Sequence, residues 1–104
     1  MTVSLFQRLQ VKNFDKWLNP DQDAVTQMMK DQGVLALSLS RSLDDRNSLN
    51  AHFQFADENT ARSFVSWMDA AIVEWARQDP DAWTQEVLEW WIGEDIRPYA
   101  NTAV

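Results

Sequence analysis

The sequence predicts one α+β domain laid out as strand, helix, strand, strand, helix, strand, and three observations predict it. Apolar residues alternate with period two in four short segments. They recur at helical spacing in the two intervals that a crossover would occupy. The joints carry turn and cap residues: Asn13, Asn19-Pro20, Gly33, Asp44-Asp45-x-Asn47 and Asp57.

Residues 3 to 11 read as the first strand, with Val3, Leu5, Gln7, Leu9 and Val11 on one face and Ser4, Phe6, Arg8 and Gln10 on the other. Asn13 then caps a short helix carrying Phe14 and Trp17, and Asn19-Pro20 stops it and restarts a second piece with proline in its first turn. That piece brings Ala24, Val25, Met28 and Met29 together, and Gly33 supplies the left-handed residue that ends it. Alternation returns from 34 to 42, with Leu35, Leu37 and Leu39 opposite Ala36, Ser38 and Ser40. The 43–48 segment has the side chains that bond their own backbone, so it reads as the turn of a hairpin whose second strand runs from Leu49 to Phe55.

Asp57 caps the next helix, which sets Ala61, Phe64, Val65 and Met68 in one stripe flanked by Trp67. Ile72, Val73, Trp75 and Ala76 continue it until Asp79-Pro80. The last strand is expected over 86 to 92, with Leu88, Trp90 and Ile92 opposite Val87, Glu89 and Trp91. Residues 94–104 read as a polar tail, and the whole span 1–104 as a single domain.

Composition bounds the function. An apolar share of 45% with six tryptophans is enough for a packed core. A net charge of -7 repels phosphate backbones and anionic surfaces, so neither nucleic acid nor membrane is expected as a partner. Zero cysteines exclude a disulfide framework and a thiolate site. The N-terminus enters the first strand pattern with no basic region or long apolar run, and a cytoplasmic home fits best. No metal-ligand cluster, phosphate loop or nucleophile motif is visible.

Three stretches, Val11-x-x-Phe14-Asp15-x-Trp17, Arg41-x-x-Asp44-Asp45-x-Asn47 and Phe53-Gln54-Phe55-Ala56-Asp57, resemble the dimeric α/β-barrel superfamily, and within it the antibiotic biosynthesis monooxygenase-like domains. The resemblance runs from about residue 3 to residue 93 and bears on fold more than on activity. It implies a ferredoxin-like βαββαβ sheet in spatial order 4-1-3-2, helices on one face, and the sheet of a second copy on the other. The odd positions of the first three strands supply an apolar face for the helices. The even positions are mostly polar, with Phe6 the exception and Trp91 joining it if the last strand pairs in that register, so the homodimer rests on the resemblance and not on hydrophobicity.

Two constellations could carry chemistry. Gln7 is the one polar side chain on the apolar face of its strand, and a buried amide left without partners costs roughly 1 to 3 kcal/mol, so something polar should meet it. Phe64-x-x-Trp67-x-x-Ala70 is similar to the stretch that carries the pocket tryptophan in haem-degrading members of the superfamily. Those members place an asparagine where this chain has Gln7, and a histidine about three helical turns beyond the tryptophan, where this chain has Arg77. Arginine cannot be an axial ligand, so the implied ligand is organic, with no cofactor. The resemblance then implies cofactor-independent oxygenation of an aromatic or hydrophobic metabolite, with Trp67, Phe64, Gln7 and Arg8 binding substrate and His52 or Arg77 assisting catalytically. His52 and Arg8 form the second constellation, on the polar face with Asn50, Gln54 and Glu89.

Each has a plainer reading. A tryptophan on a buried helix packs, an inward glutamine bonds backbone or water, and a lone histidine makes a structural hydrogen bond. Trp17, Trp75, Trp83 and Trp90 are assigned to core or interface, and Glu86, Glu89, Glu94 and Asp95 to a solvated acidic rim. The alternative to an oxygenase is thus a non-catalytic homodimer that binds a small ligand or stabilises a partner.

Overall fold

A computed structural model describes residues 2–18 and 22–96. The order is β1 (Val3–Val11), α1 (Phe14–Trp17), α2 (Gln22–Asp31), β2 (Ala36–Arg41), β3 (Ser48–Phe55), α3 (Glu58–Gln78), α4 (Pro80–Trp83) and β4 (Gln85–Glu94). All strand pairs are antiparallel, in the order β2-β3-β1-β4, which is the 4-1-3-2 arrangement expected. Helices lie on one face of this sheet, giving a ferredoxin-like α+β fold.

Alternation explains the layering. Leu5 stands opposite Phe53, which stands opposite Leu37, while Gln7, Ala51 and Leu39 form the next row of the same face. Phe64 of α3 is buried on that face between Phe53 and Phe55, with ring centroids 4.9 and 5.3 Å away. Full burial of Leu5, Phe55 and Phe64 makes this cluster the centre of the core, each side chain contributing about 1.5 to 3 kcal/mol.

The caps behave as their chemistry requires. The Asn13 side chain accepts from the Lys16 amide at 3.2 Å, and Asp57 accepts from the Thr60 amide at 2.8 Å. Gly33 has φ +87°, and around it the amides of Val34 and Gly33 donate to the carbonyls of Met29 and Lys30, closing α2 in a Schellman motif. The sequence motifs at the joints also meet in space. The Asn47 side chain accepts from the Phe14 amide at 3.0 Å, the Val11 amide donates to the Asn47 carbonyl at 2.8 Å, and Arg46 pairs with Asp15. Arg41 sits over the Phe14 ring at 4.7 Å. These residues therefore hold the hairpin turn against α1. The break expected at Asn19-Pro20 lies outside the described residues, as does most of the expected tail.

Three details depart from the sequence reading. The register between β1 and β4 slips between Arg8 and Leu9, so Val87 faces Leu9 while Trp90 and Ile92 face Gln7 and Leu5. The extra residue, Leu88, is absorbed by this bulge, and Val87 joins Ile92 against the core instead of lying opposite it. Secondly, β4 runs on to Glu94, and Asp95 folds back onto β1, where its carboxylate accepts from Thr2 at 2.7 Å and Ser4 at 2.6 Å. Asp95 is thus a structural acceptor and not part of a solvated rim. Thirdly, the helices leave the β2 end of the apolar face open: Leu35, Leu37 and Leu39 are 59%, 41% and 43% exposed.

Candidate functional site

The uncovered end of the sheet opens into a cavity of about 360 Å³ between sheet and helices. Its floor is Gln7 and Leu9 of β1, Ala51 and Phe53 of β3, and Leu37 and Leu39 of β2. Met28, Met29 and Val25 of α2 form one wall, Met68, Ile72 and Trp75 of α3 the other, and Trp17 and Trp83 close the end. Because Leu35, Leu37 and Leu39 line it and are themselves exposed, its mouth lies along β2.

The aromatic end is braced. Trp17 donates from Nε1 to Gln85 Oε1 at 2.9 Å, and Trp75 packs on Trp83 at 4.9 Å between centroids. An indole whose N–H already has a partner offers its ring face to whatever enters. Gln7 is the polar group in the floor. It is 7% exposed, and among the described residues no hydrogen bond engages its side-chain amide. No buried side-chain nitrogen or oxygen among the described residues is sealed away without a partner, so the Gln7 amide opens onto the cavity. The polar protein partner that the sequence suggested for it is not there.

The other sequence candidates are dispersed. Phe64 lies in the core. Trp67 sits beside it, 5.9 Å from the Phe64 ring and edge-on to Trp75 at 6.0 Å, behind the cavity wall and not in it. Arg77 is exposed near the end of α3 and held by Glu74, with Nη2 2.7 Å from its carboxylate. The same contact holds the Glu74 carboxyl below the usual glutamate range, with Gln78 adding to it. Arg8 and His52 lie on the opposite face of the sheet, so they share no space with Gln7's amide or Trp67. Haem has no imidazole to meet in the helix-side cavity, because the chain's one histidine is on the outer face. The residues present do not fit haem ligation, and among the described residues no cluster of three or more His, Cys, Asp or Glu could hold a metal ion.

On that outer face Phe6 is sandwiched, with His52 at 4.3 Å and Trp91 at 4.4 Å. Trp91 joins the face through its register with Phe6, and its ring reaches over Gly93, where a Cβ would come within 2.5 Å of it. Ser38, Ser40, Asn50, Arg8 and Glu89 complete a shallow groove of about 430 Å³. Arg8 and Glu89 are 3.9 Å apart and exposed, a pair worth little in water. His52 Nε2 is 2.9 Å from Ser4 Oγ. Since the Ser4 hydroxyl gives its proton to Asp95, it can only accept from His52, which fixes the N–H on Nε2 and leaves serine unactivated as a nucleophile. Hydrogen bonds from Ser4, then Thr2, hold the Asp95 carboxyl below the ordinary aspartate value.

Sequence reasoning missed the cavity's aromatic end, which Trp17, Trp75 and Trp83 form, and missed Lys30 at its rim. It also missed Asp95. No signal in the periodicity separates a tryptophan that packs from one that packs and also lines a void.

No family model and no curated protein matches the sequence. Two solved structures resemble the fold. A dimeric ferredoxin-like protein from an uncultured marine organism is 13% identical with a TM-score of 0.53, covering 88% of this chain and 91% of its own. A variant of SnoaB, a cofactor-independent oxygenase from Streptomyces nogalater, is 14% identical with a TM-score of 0.50, covering 92% of this chain and 94% of its own. At these identities the likeness is one of fold, and it agrees with the ferredoxin-like sheet and helix layer described above.

Proposed function

We propose that this chain binds a small apolar or aromatic molecule in the cavity between its sheet and helices, with the Gln7 amide orienting the ligand. One observation carries the reading: a buried amide without a protein partner opens into an otherwise apolar space of about 360 Å³, within the range of small-molecule sites. A ligand carbonyl or hydroxyl would give that amide the partner it lacks, and the rings of Trp17, Trp75 and Trp83 would face a planar body. Leu39→Trp tests this. The site is partly exposed and on an edge strand, so the bulkier ring fills the void without entering the core. A naphthol probe that raises the wild-type Tm should leave the variant's Tm unmoved, and an undiminished shift would sink the reading.

A cofactor-independent monooxygenase is the catalytic extension, and the fold likeness to SnoaB favours it. Such chemistry needs a base beside the substrate, and among the described cavity residues Lys30 is the only ionisable one. Binding without turnover is therefore the better supported function. Oxygen consumption with a quinol substrate, abolished by Leu39→Trp, would establish the extension.

The outer face fits a second copy of the chain. Trp91 is 54% exposed at one end of the aromatic stack built on Phe6, and the fold neighbour from the marine organism is dimeric. Trp91→Glu should convert a dimer seen by light scattering into a monomer, and a wild-type monomer at micromolar concentration would rule the pairing out.

A further inference from the structure

From the charge at the cavity mouth we infer that the ligand is an amphipathic monocarboxylate, its apolar body in the cavity and its carboxylate at Lys30; this rests on the binding reading above. The chain carries net charge -7, yet the only ionisable side chain among the described cavity residues is a cation. Lys30 is also the odd one out among the described basic residues. Arg8, Lys12, Lys16, Arg46, Arg62 and Arg77 each have a carboxylate within 4.0 Å, and Arg41 lies over Phe14. Lys30 has neither.

The ordinary explanation for a lysine in the last turn of a helix is the cluster of free carbonyls there. At this helix end the backbone already meets that need. The Gln32 amide reaches the carbonyls of Met28 and Met29, Gly33 that of Lys30, and Val34 that of Met29. Lys30 is exposed and lines the cavity, so its ammonium is left for an acid emerging from the apolar interior. At the other end the neutral Gln7 amide can serve an uncharged oxygen but cannot neutralise a carboxylate, which assigns the anion to the rim and not to the floor.

A matched pair of probes separates charge from fit: 1-naphthaleneacetate and its neutral amide, 1-naphthaleneacetamide, titrated by tryptophan fluorescence into wild type, Lys30→Met and Lys30→Arg. Methionine retains the apolar stem of lysine, and the site is exposed, so folding is preserved. Wild type should prefer the acid by about fivefold, the upper range for a solvent-accessible ion pair. Lys30→Met should erase the preference by weakening the acid alone, Lys30→Arg should restore it, and raised salt should shrink it. Equal affinities in wild type, or a preference that survives in Lys30→Met, would overturn the inference while leaving the cavity reading intact. Failure of both probes to bind wild type would overturn both.

Discussion

Replacing Gln7 with leucine probes the polar side chain on which the functional reading turns. The residue is 7% exposed, lies between Leu5 and Leu9 along β1, and faces Ala51 and Trp90 across the sheet. An amide in such a place without a partner forfeits about 1 to 3 kcal/mol, and since this one keeps contact with the cavity the lower end applies, about 1 kcal/mol. Leucine is close in size, removes that cost and leaves the backbone ladder untouched. Gln7→Leu should therefore stabilise the free protein by about 1 kcal/mol, which for a domain of this size raises Tm by about 4 to 8 °C. The same change should weaken binding of 1-naphthaleneacetamide about fivefold, through loss of one hydrogen bond worth about 1 kcal/mol. Urea unfolding followed by tryptophan emission gives the stability, with an unchanged m-value as the sign that only the native state was altered. Destabilisation by 1 kcal/mol or more would mean that the amide is already satisfied, and the site would lose its orienting group.

Phe64→Ala should cost about 3 to 5 kcal/mol, because the ring is buried between Phe53 and Phe55 and its loss leaves a cavity; calorimetry would read this as a much lower Tm. Trp75→Phe should weaken naphthyl probes measured by calorimetric titration, whereas Trp67→Phe should leave their affinity unchanged, since only the first ring reaches the cavity. Gly33→Ala combines a left-handed φ of +87° with a Cβ that would meet Thr60 Cγ2 at 2.5 Å, so it should lose about 2 kcal/mol or more, and Thr60→Ala in the same chain should recover only the steric part. Asp95 has a folded-state pKa below its ordinary value of 3.8, so its contribution is fully present above that pH and lost as pH falls through the depressed value; the stability gap between wild type and Asp95→Asn should be constant near neutrality and close in acid.

Much of the fold was legible because its signals are local. The period-two runs, the caps at Asn13 and Asp57 and the glycine at 33 each specify a conformation within a few residues, and the sheet order followed once the family likeness was seen. The β1–β4 bulge was not legible. An inserted residue inverts the faces of everything beyond it, and Val87-Leu88-Glu89 alternates no less plausibly in the wrong phase than in the right one. Asp95 was illegible for a related reason: a carboxylate after the last strand looks solvated until β1 is known to pair with β4 and to bring Thr2 and Ser4 beside it.

The candidate site was half legible, and α3 shows why. Phe64, Met68 and Trp75 fall within about 40° of one another around the helix, with Trp67 some 60° to the side of Phe64, so periodicity places all of them near one stripe. Along the axis the picture differs. Trp75 lies about 16 Å beyond Phe64 along the helix, and where Phe64 packs on Phe53 and Phe55 of β3, Trp75 lines the cavity. A hydrophobic pattern records which side of a helix is buried but not how far the opposing layer extends, and in the 21-residue α3 the fully buried residues, Ala61 and Phe64, both lie in its first half. Gln7 lies beneath the cavity because β1 passes under both the filled part of the core, at Leu5, and the unfilled part, at Gln7. The stretch that resembles haem-degrading proteins lies on the helix that walls the cavity, with Gln7 in the floor, but Trp67 is one turn from Phe64 and shares its packing, while Trp75, two turns further on, lines the cavity.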